Sequence, residues 1–411
     1  TNHTMSHNTV TVNDRKQGCN WGGKTELFEG GDTARIAIID GGPPVYEGVT
    51  TYRRALSLVD VSDADSYAVD VFWVRGGKNH RMVNNGAGWE IATHNLAVTK
   101  QPTGTFAGPD VPYAAKIVEP DEGCAAFSYL RDVSRGNATA ESCWIDWDVV
   151  YKDGTVAEGR DPHFRLHCLS PVDEMALAIG EPPHHRYQDD YFWYVIRSNL
   201  GEGIQSQFVS VLEPYEPAPF IASTEPLEIT GKQAEGFASA VRVTLTDGRT
   251  DTVLIAENPG AMEAGGVATD AQYAFVRVEN GAVTAAKLVR GTYLRLGDYE
   301  LTAPAAQISG TVAGIDTSDW RDNLISVDPP VTASGIAPEA LIGRHIIVRN
   351  GSRSDACYVI TDIRDGGRVI SVGDKTLVEQ FADPQDYAKG YLYTVSAGEE
   401  FVIPLSAGDR L

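Results

Sequence analysis

Basic residues are scarce in this chain: its 411 residues hold 34 Lys and Arg against 56 Asp and Glu, a formal charge of −22. A field of that sign repels nucleic acid and anionic membranes, so neither is expected as a partner, and an anionic ligand needs a local basic site. The acidity also suits a secreted or salt-tolerant protein that must stay soluble. Long apolar runs are missing too, and none approaches the length that spans a bilayer. The opening Thr1 to His7 contains no basic stretch followed by an apolar one, so no signal peptide is visible, and there is no initiator Met. We expect a mature fragment or one chain of a cleaved protein. The five cysteines, Cys19, Cys124, Cys143, Cys168 and Cys357, show no CxxC spacing. That points away from a zinc ribbon and from a disulfide scaffold, while leaving room for one bridge. A Gly-rich phosphate loop, a Ser/His/Asp motif and a cysteine-nucleophile signature are all absent.

What is present is alternation. With 42% hydrophobic and 22% charged residues the composition is globular. Segments 9–13, 34–40, 52–61, 67–75, 143–152, 191–197 and 207–213 alternate with period two and are rich in Val, Ile, Thr, Tyr, Phe and Trp, the pattern of strands. Asp247-Gly248 and Asn280-Gly281 are flanked by such strands and read as tight hairpins. Three prolines between Glu213 and Pro219 rule out a central strand there and place a boundary near residue 215. A second run at 302–306 precedes a last module with short strands at 344–348, 357–363, 368–372 and 390–395. The expected architecture is all-β: an antiparallel sandwich over 1–215, its continuation or a second β module over 216–305, and a small β domain over 306–411.

Histidines number nine, and two stand in shaped contexts. Ser6-His7-Asn8 feeds the strand from Thr9. The strand ending Trp73-Val74-Arg75 meets a Gly76-Gly77 turn that presents Lys78, His80 and Arg81, a positive cluster suited to a carboxylate or sulfate. Between them Asp40 closes an apolar strand before a loop carrying Tyr46, followed by Arg53 and Arg54. Elsewhere, His163 and His167 are four apart, which on a strand places them on one face about 13 Å apart, too far to share a metal. His184-His185 reads as a solvated loop. Trp144, Trp147, Tyr191, Trp193 and Tyr194 alternate with other residues and suit either sugar stacking or cross-strand core packing.

The order His7-Asn8-Thr9-Val10, Asp40, Tyr46-x-Gly48-Val49, Arg53-Arg54, then Gly76-Gly77-x-x-His80, continued by 206–215 and 268–275, resembles the sandwich portion of heparinase II/III-like polysaccharide lyases over roughly residues 1–300. The resemblance implies the large β-sandwich of a secreted or periplasmic enzyme that cleaves uronate polymers by β-elimination. It also implies that the family's α/α toroid is absent from this sequence. Carried over, Tyr46 is a cleft tyrosine, and His7, Asp40 and His80 hold a structural zinc with water as fourth ligand. A zinc-bound imidazole is not a free base, so His3 becomes the histidine that contacts substrate. Arg53, Arg54, Arg75, Lys78 and Arg81 supply local positive potential for an acidic polysaccharide. Two rivals stand beside this reading: a non-catalytic carbohydrate-binding or structural sandwich, and one half of a two-chain enzyme with a separate helical toroid chain.

Overall fold

The computed structural model describes residues 3–18, 22–42, 45–86, 90–115, 126–138, 142–149, 159–181, 191–352 and 354–410. Among them no α-helix occurs, only short 3-10 turns, and no helix is long and apolar enough to cross a membrane. The strands form antiparallel sheets stacked in layers. Sheet I has six strands in the order Thr9–Val12, Asn79–Gly86, Phe192–Leu200, Glu174–Gly180, Arg131–Ala138 and Leu96–Lys100. Sheet II has eight: Lys24–Glu29, Ala34–Asp40, Thr51–Asp60, Ser66–Arg75, Gln205–Tyr215, His163–Cys168, Cys143–Asp148 and Glu90–His94. Sheet III has six: Ile221–Pro226, Ala238–Leu245, Thr250–Ala256, Tyr273–Glu279, Ala282–Val289 and Ser406–Arg410. A four-stranded sheet IV covers its far side.

Alternation along each strand explains the stacking. On Ser66–Arg75, Tyr67, Val69, Val71 and Trp73 point to one side, where they meet Val241, Val253, Tyr273 and Phe275 of sheet III. Phe72 and Val74 point to the other, against Val10, Val12 and Met82 of sheet I. Sheet II is therefore covered on both faces. Charged groups trapped there must be paired, because an uncompensated buried charge costs several kcal/mol. Between sheets II and III, buried Arg277 grips both oxygens of Asp251 at 2.7 Å, and the Tyr67 hydroxyl donates to the same carboxylate at 2.8 Å. The Tyr67 phenol is pushed well above its ordinary value, first by burial and then by Asp251.

Both expected hairpins form, around Gly248 (φ 92°) and around Asn280 (φ 52°) and Gly281 (φ 81°). The proline-rich stretch links sheet II to sheet III. Strand Gln205–Tyr215 runs on through Pro214, which pairs with Phe164. Its other neighbour, Ser66–Arg75, stops pairing at Leu212, so Pro214 sits on a free edge where its missing N–H breaks no ladder bond. Buried Glu213 then accepts from the Phe220 and Ile221 amides and sets the entry to sheet III. The terminal module has its own core and a seven-stranded sheet that begins at Gln307. It clamps the outer strand of sheet II: the Lys24 ammonium donates to Asn350 Oδ1 and to the Ser352 and Ser354 carbonyls at 2.6 Å, and Arg349 pairs with Glu26 at 2.7 Å. The last strand, Ser406–Arg410, leaves that module and pairs with Ala282–Val289, so the expected 306–411 unit does not hold to its end.

Removing Asp251 strands Arg277 inside the protein. Asp251→Ala is expected to cost about 3–5 kcal/mol in equilibrium urea unfolding. Replacing the pair with apolar residues, Asp251→Leu with Arg277→Met, is expected to recover most of that loss.

Candidate functional site

The cations expected to bind substrate do not converge. Successive residues on a strand face opposite ways, so Arg53 and Arg75 lie between sheets II and III while Arg54 lies between II and I. Arg53 is tied to Asp40 at 2.8 Å, Arg75 to Glu257 at 2.6 Å, and Arg54 grips Asp70 at 2.7 and 2.8 Å. Arg81 pairs with Asp14 at 2.6 Å on the outer side of sheet I, and exposed Lys78 meets Glu202 at 2.8 Å. All five are committed to carboxylates.

The zinc assignment fails on geometry. His80 is buried between sheets I and II, with Nδ1 2.8 Å from Ser206 Oγ and Nε2 2.6 Å from the Gly76 carbonyl. It locks the Gly76-Gly77 turn, whose φ angles of 97° and 95° call for glycine. Burial lowers its pKa. Asp40 is on the other face of sheet II, its carboxylate taken by Arg53 and the Gly42 amide. Val12 pairs with His80, so exposed His7 stands about five residues, roughly 16 Å of extended chain, further along. The residues that would hold zinc therefore do not form a site.

Tyr46 is also displaced from its expected role. Only 6% exposed, it packs on Tyr52 and donates weakly to the Val10 and Arg15 carbonyls at 3.4 and 3.3 Å. Burial, then neighbouring Tyr52, pushes the phenol far above its ordinary value, so it is no acid or base at neutral pH.

His3 stands where a ligand can reach it. The 3-10 turn Thr4–Ser6 buries Thr4 and Met5, and Thr4 Oγ1 accepts from the Gln17 amide at 2.7 Å, which anchors the segment beneath His3. Exposed His3 stacks on Tyr129 at 5.7 Å and 24°, and Tyr129 meets the edge of Tyr113 at 5.6 Å. Both tyrosines are exposed, at 38% and 43%. Beneath them Phe106 and Phe127 pack on the outer face of sheet I and hold the loop in place. Partial burial and then nearby Lys16 lower the His3 pKa, leaving a neutral imidazole at pH 7. Lys16 makes no ion pair among the described residues.

A second polar group was not among the sequence candidates. Asp146, itself buried, accepts from His163 Nδ1 at 2.8 Å, Arg165 Nε at 2.7 Å and the Tyr215 hydroxyl at 2.7 Å. Asp148, Asp161 and His163 are the one trio of His, Cys, Asp or Glu among the described residues whose ligand atoms all lie within 4.8 Å. Partial burial opposes protonation of His163, but Asp146 outweighs it and the pKa rises. The readable signal was the shared period of Trp144-x-Asp146-x-Asp148 and His163-x-Arg165-x-His167, which a hairpin register places side by side. His184 and His185 lie outside the described residues.

No family model matches this sequence, and no curated protein is similar to it. Among solved structures the chain is similar to a heparinase III with methylated lysines, at TM-score 0.36 and 13% identity over 61% of this chain and 30% of that one. An unmodified heparinase III gives 0.34 and 12% over 61% and 30%. A heparan sulfate lyase, HepC from Pedobacter heparinus, gives 0.31 and 11% over 62% and 30%. The chain spans about 30% of the length of these lyases.

The two histidines should titrate on opposite sides of the ordinary imidazole value near about 6.5. In a proton NMR titration the His3 midpoint is expected below it and to rise in Lys16→Ala, while the His163 midpoint is expected above it and to fall in Asp146→Asn.

Proposed function

We propose that this chain is the β-sandwich part of a polysaccharide lyase acting on a uronate-containing polymer, and that it meets the polymer at the His3, Tyr113 and Tyr129 patch. One observation carries the reading: two exposed phenol rings and a neutral imidazole in mutual contact beside uncommitted Lys16, on a chain whose other candidate cations are bound to carboxylates. Aromatic faces suit the apolar faces of sugar rings, and an ammonium suits a carboxylate or sulfate. The order of sequence motifs up to about residue 300 supports the lyase half of the proposal.

β-Elimination needs the uronate carboxylate neutralised, the C5 proton removed and the departing oxygen protonated. Neutral, exposed His3 is suited to taking a proton, and Lys16 is the cation placed beside it. Tyr46, sealed in the core, does not reach the leaving oxygen, and in this reading its proton donor sits on a helical domain or partner chain. The rival reading is a non-catalytic binding module.

Calorimetric binding of alginate and heparan sulfate oligosaccharides tests the patch. Tyr129→Ala is expected to weaken binding roughly tenfold, the loss of a ring contact worth about 1–1.5 kcal/mol, and Lys16→Ala to weaken it further at low salt. Binding left unchanged in both variants would overturn the site. Ultraviolet absorbance from an unsaturated uronate, appearing only once a helical lyase domain is added, separates the lyase from the binding module.

A further inference from the structure

The chain holds five cysteines and four methionines, and three of these nine sulfurs meet at one point. Cys143 and Cys168 are direct partners across the hairpin of strands Cys143–Asp148 and His163–Cys168. From sheet I, Met175 brings its Sδ to 3.6 Å from Cys143 Sγ. All three are buried, at 3%, 3% and 1% exposure, yet all three line one cavity of about 400 Å³, alongside Ser170, Pro171 and Pro226.

Charge gives this cluster a direction. Arg197 of sheet I has no exposed surface and meets only neutral acceptors: the Val209 carbonyl at 3.2 Å, Asn84 Oδ1 at 3.2 Å and Ser210 Oγ at 2.7 Å. Its Nε has no partner. Ser210 is the register partner of Cys168, and Met175 is the register partner of Arg197, so guanidinium and sulfurs share one layer between sheets I and II. The carboxylate on the other side of Ser210, Asp70, is held by both arms of Arg54. A buried guanidinium without a counter-ion is costly, and the two thiols are acidic groups in its layer.

We propose that Cys143, Cys168 and Met175 form a binding site for one soft monovalent metal ion of the Cu(I) type. Two thiolates and a thioether are the donor set that selects such ions. The charges close: two thiolates, one monovalent cation and Arg197 sum to zero, whereas a divalent ion leaves a net positive charge in the core. The 3.6 Å between Cys143 Sγ and Met175 Sδ agrees as well, since sulfurs each about 2.3 Å from one ion stand roughly 3.6–4.0 Å apart. Binding expels both thiol protons into solvent and changes no oxidation state. The cavity provides the entry path.

The test is an anaerobic titration of the reduced full chain with Cu(I) held by bicinchoninate, whose colour reports transfer. One equivalent is expected to move to the protein and to persist in the triple variant Cys19→Ser, Cys124→Ser, Cys357→Ser. Transfer should be lost in Cys168→Ser and weakened at least tenfold in Met175→Leu, with circular dichroism confirming that each variant folds. X-ray absorption on the wild-type complex should give three sulfur neighbours at roughly 2.3 Å. The proposal is overturned if the triple variant takes up no copper, if a folded Cys168→Ser binds as tightly as wild type, or if the absorption spectrum shows nitrogen or oxygen ligands. Isolation of a Cys143–Cys168 disulfide that resists reductant would equally overturn it in favour of a structural bridge.

Discussion

The burial of sheet II on both faces is the constraint from which the rest of the structure follows. An antiparallel sheet often leaves one face to water. Here sheet I closes one side and sheet III the other, so any charge on the strands between them loses its hydration and has to be matched. Arg54 with Asp70, Arg53 with Asp40, Arg75 with Glu257 and Arg277 with Asp251 are the matches. Much of a small basic inventory goes into holding layers together, leaving the surplus acid to set the net charge of −22.

The same layering decides where a ligand can sit. Arg197 excepted, the charged groups between the sheets described above are paired, and on the outer face of sheet I, covered by a loop and the N-terminal turn, Tyr113 and Tyr129 reach solvent. Thr4 and Met5 plug that turn into the protein, so His3 is displayed from an anchored segment. A rigid mount of this kind is what a contact residue needs, because ordering it on binding then costs little.

Much of the fold was legible in the sequence. Segment 34–40 became the strand Ala34–Asp40, both hairpin dipeptides turn where expected, and the Gly76-Gly77 turn has the positive φ that such a pair permits. The site was far less legible, for a physical reason. Alternation shows that Arg53 and Arg54 face opposite ways but not what covers each face; that depends on pairings such as 79–86 with 192–200, more than a hundred residues apart. Of three side chains that looked like ligands, Asp40 is cut off from His80 by sheet II itself, and His7 stands about five residues further along its strand. Of the expected catalytic and substrate-binding residues His3 and Lys78 are exposed, and Lys78 meets Glu202. Asp146 was not singled out, and His163 was weighed only against His167, because the meeting of Asp146 and His163 depends on a hairpin register.

Hydrogen–deuterium exchange with a bound uronate oligosaccharide tests the central claim most directly: that charges between the layers hold the fold, and that ligand contact falls on the outer face of sheet I. The account predicts slowed exchange in peptides covering residues 3–17 and 106–131, with 51–58 and 250–257 unchanged. Protection centred on Arg53, Arg75 and Glu257 instead would contradict it.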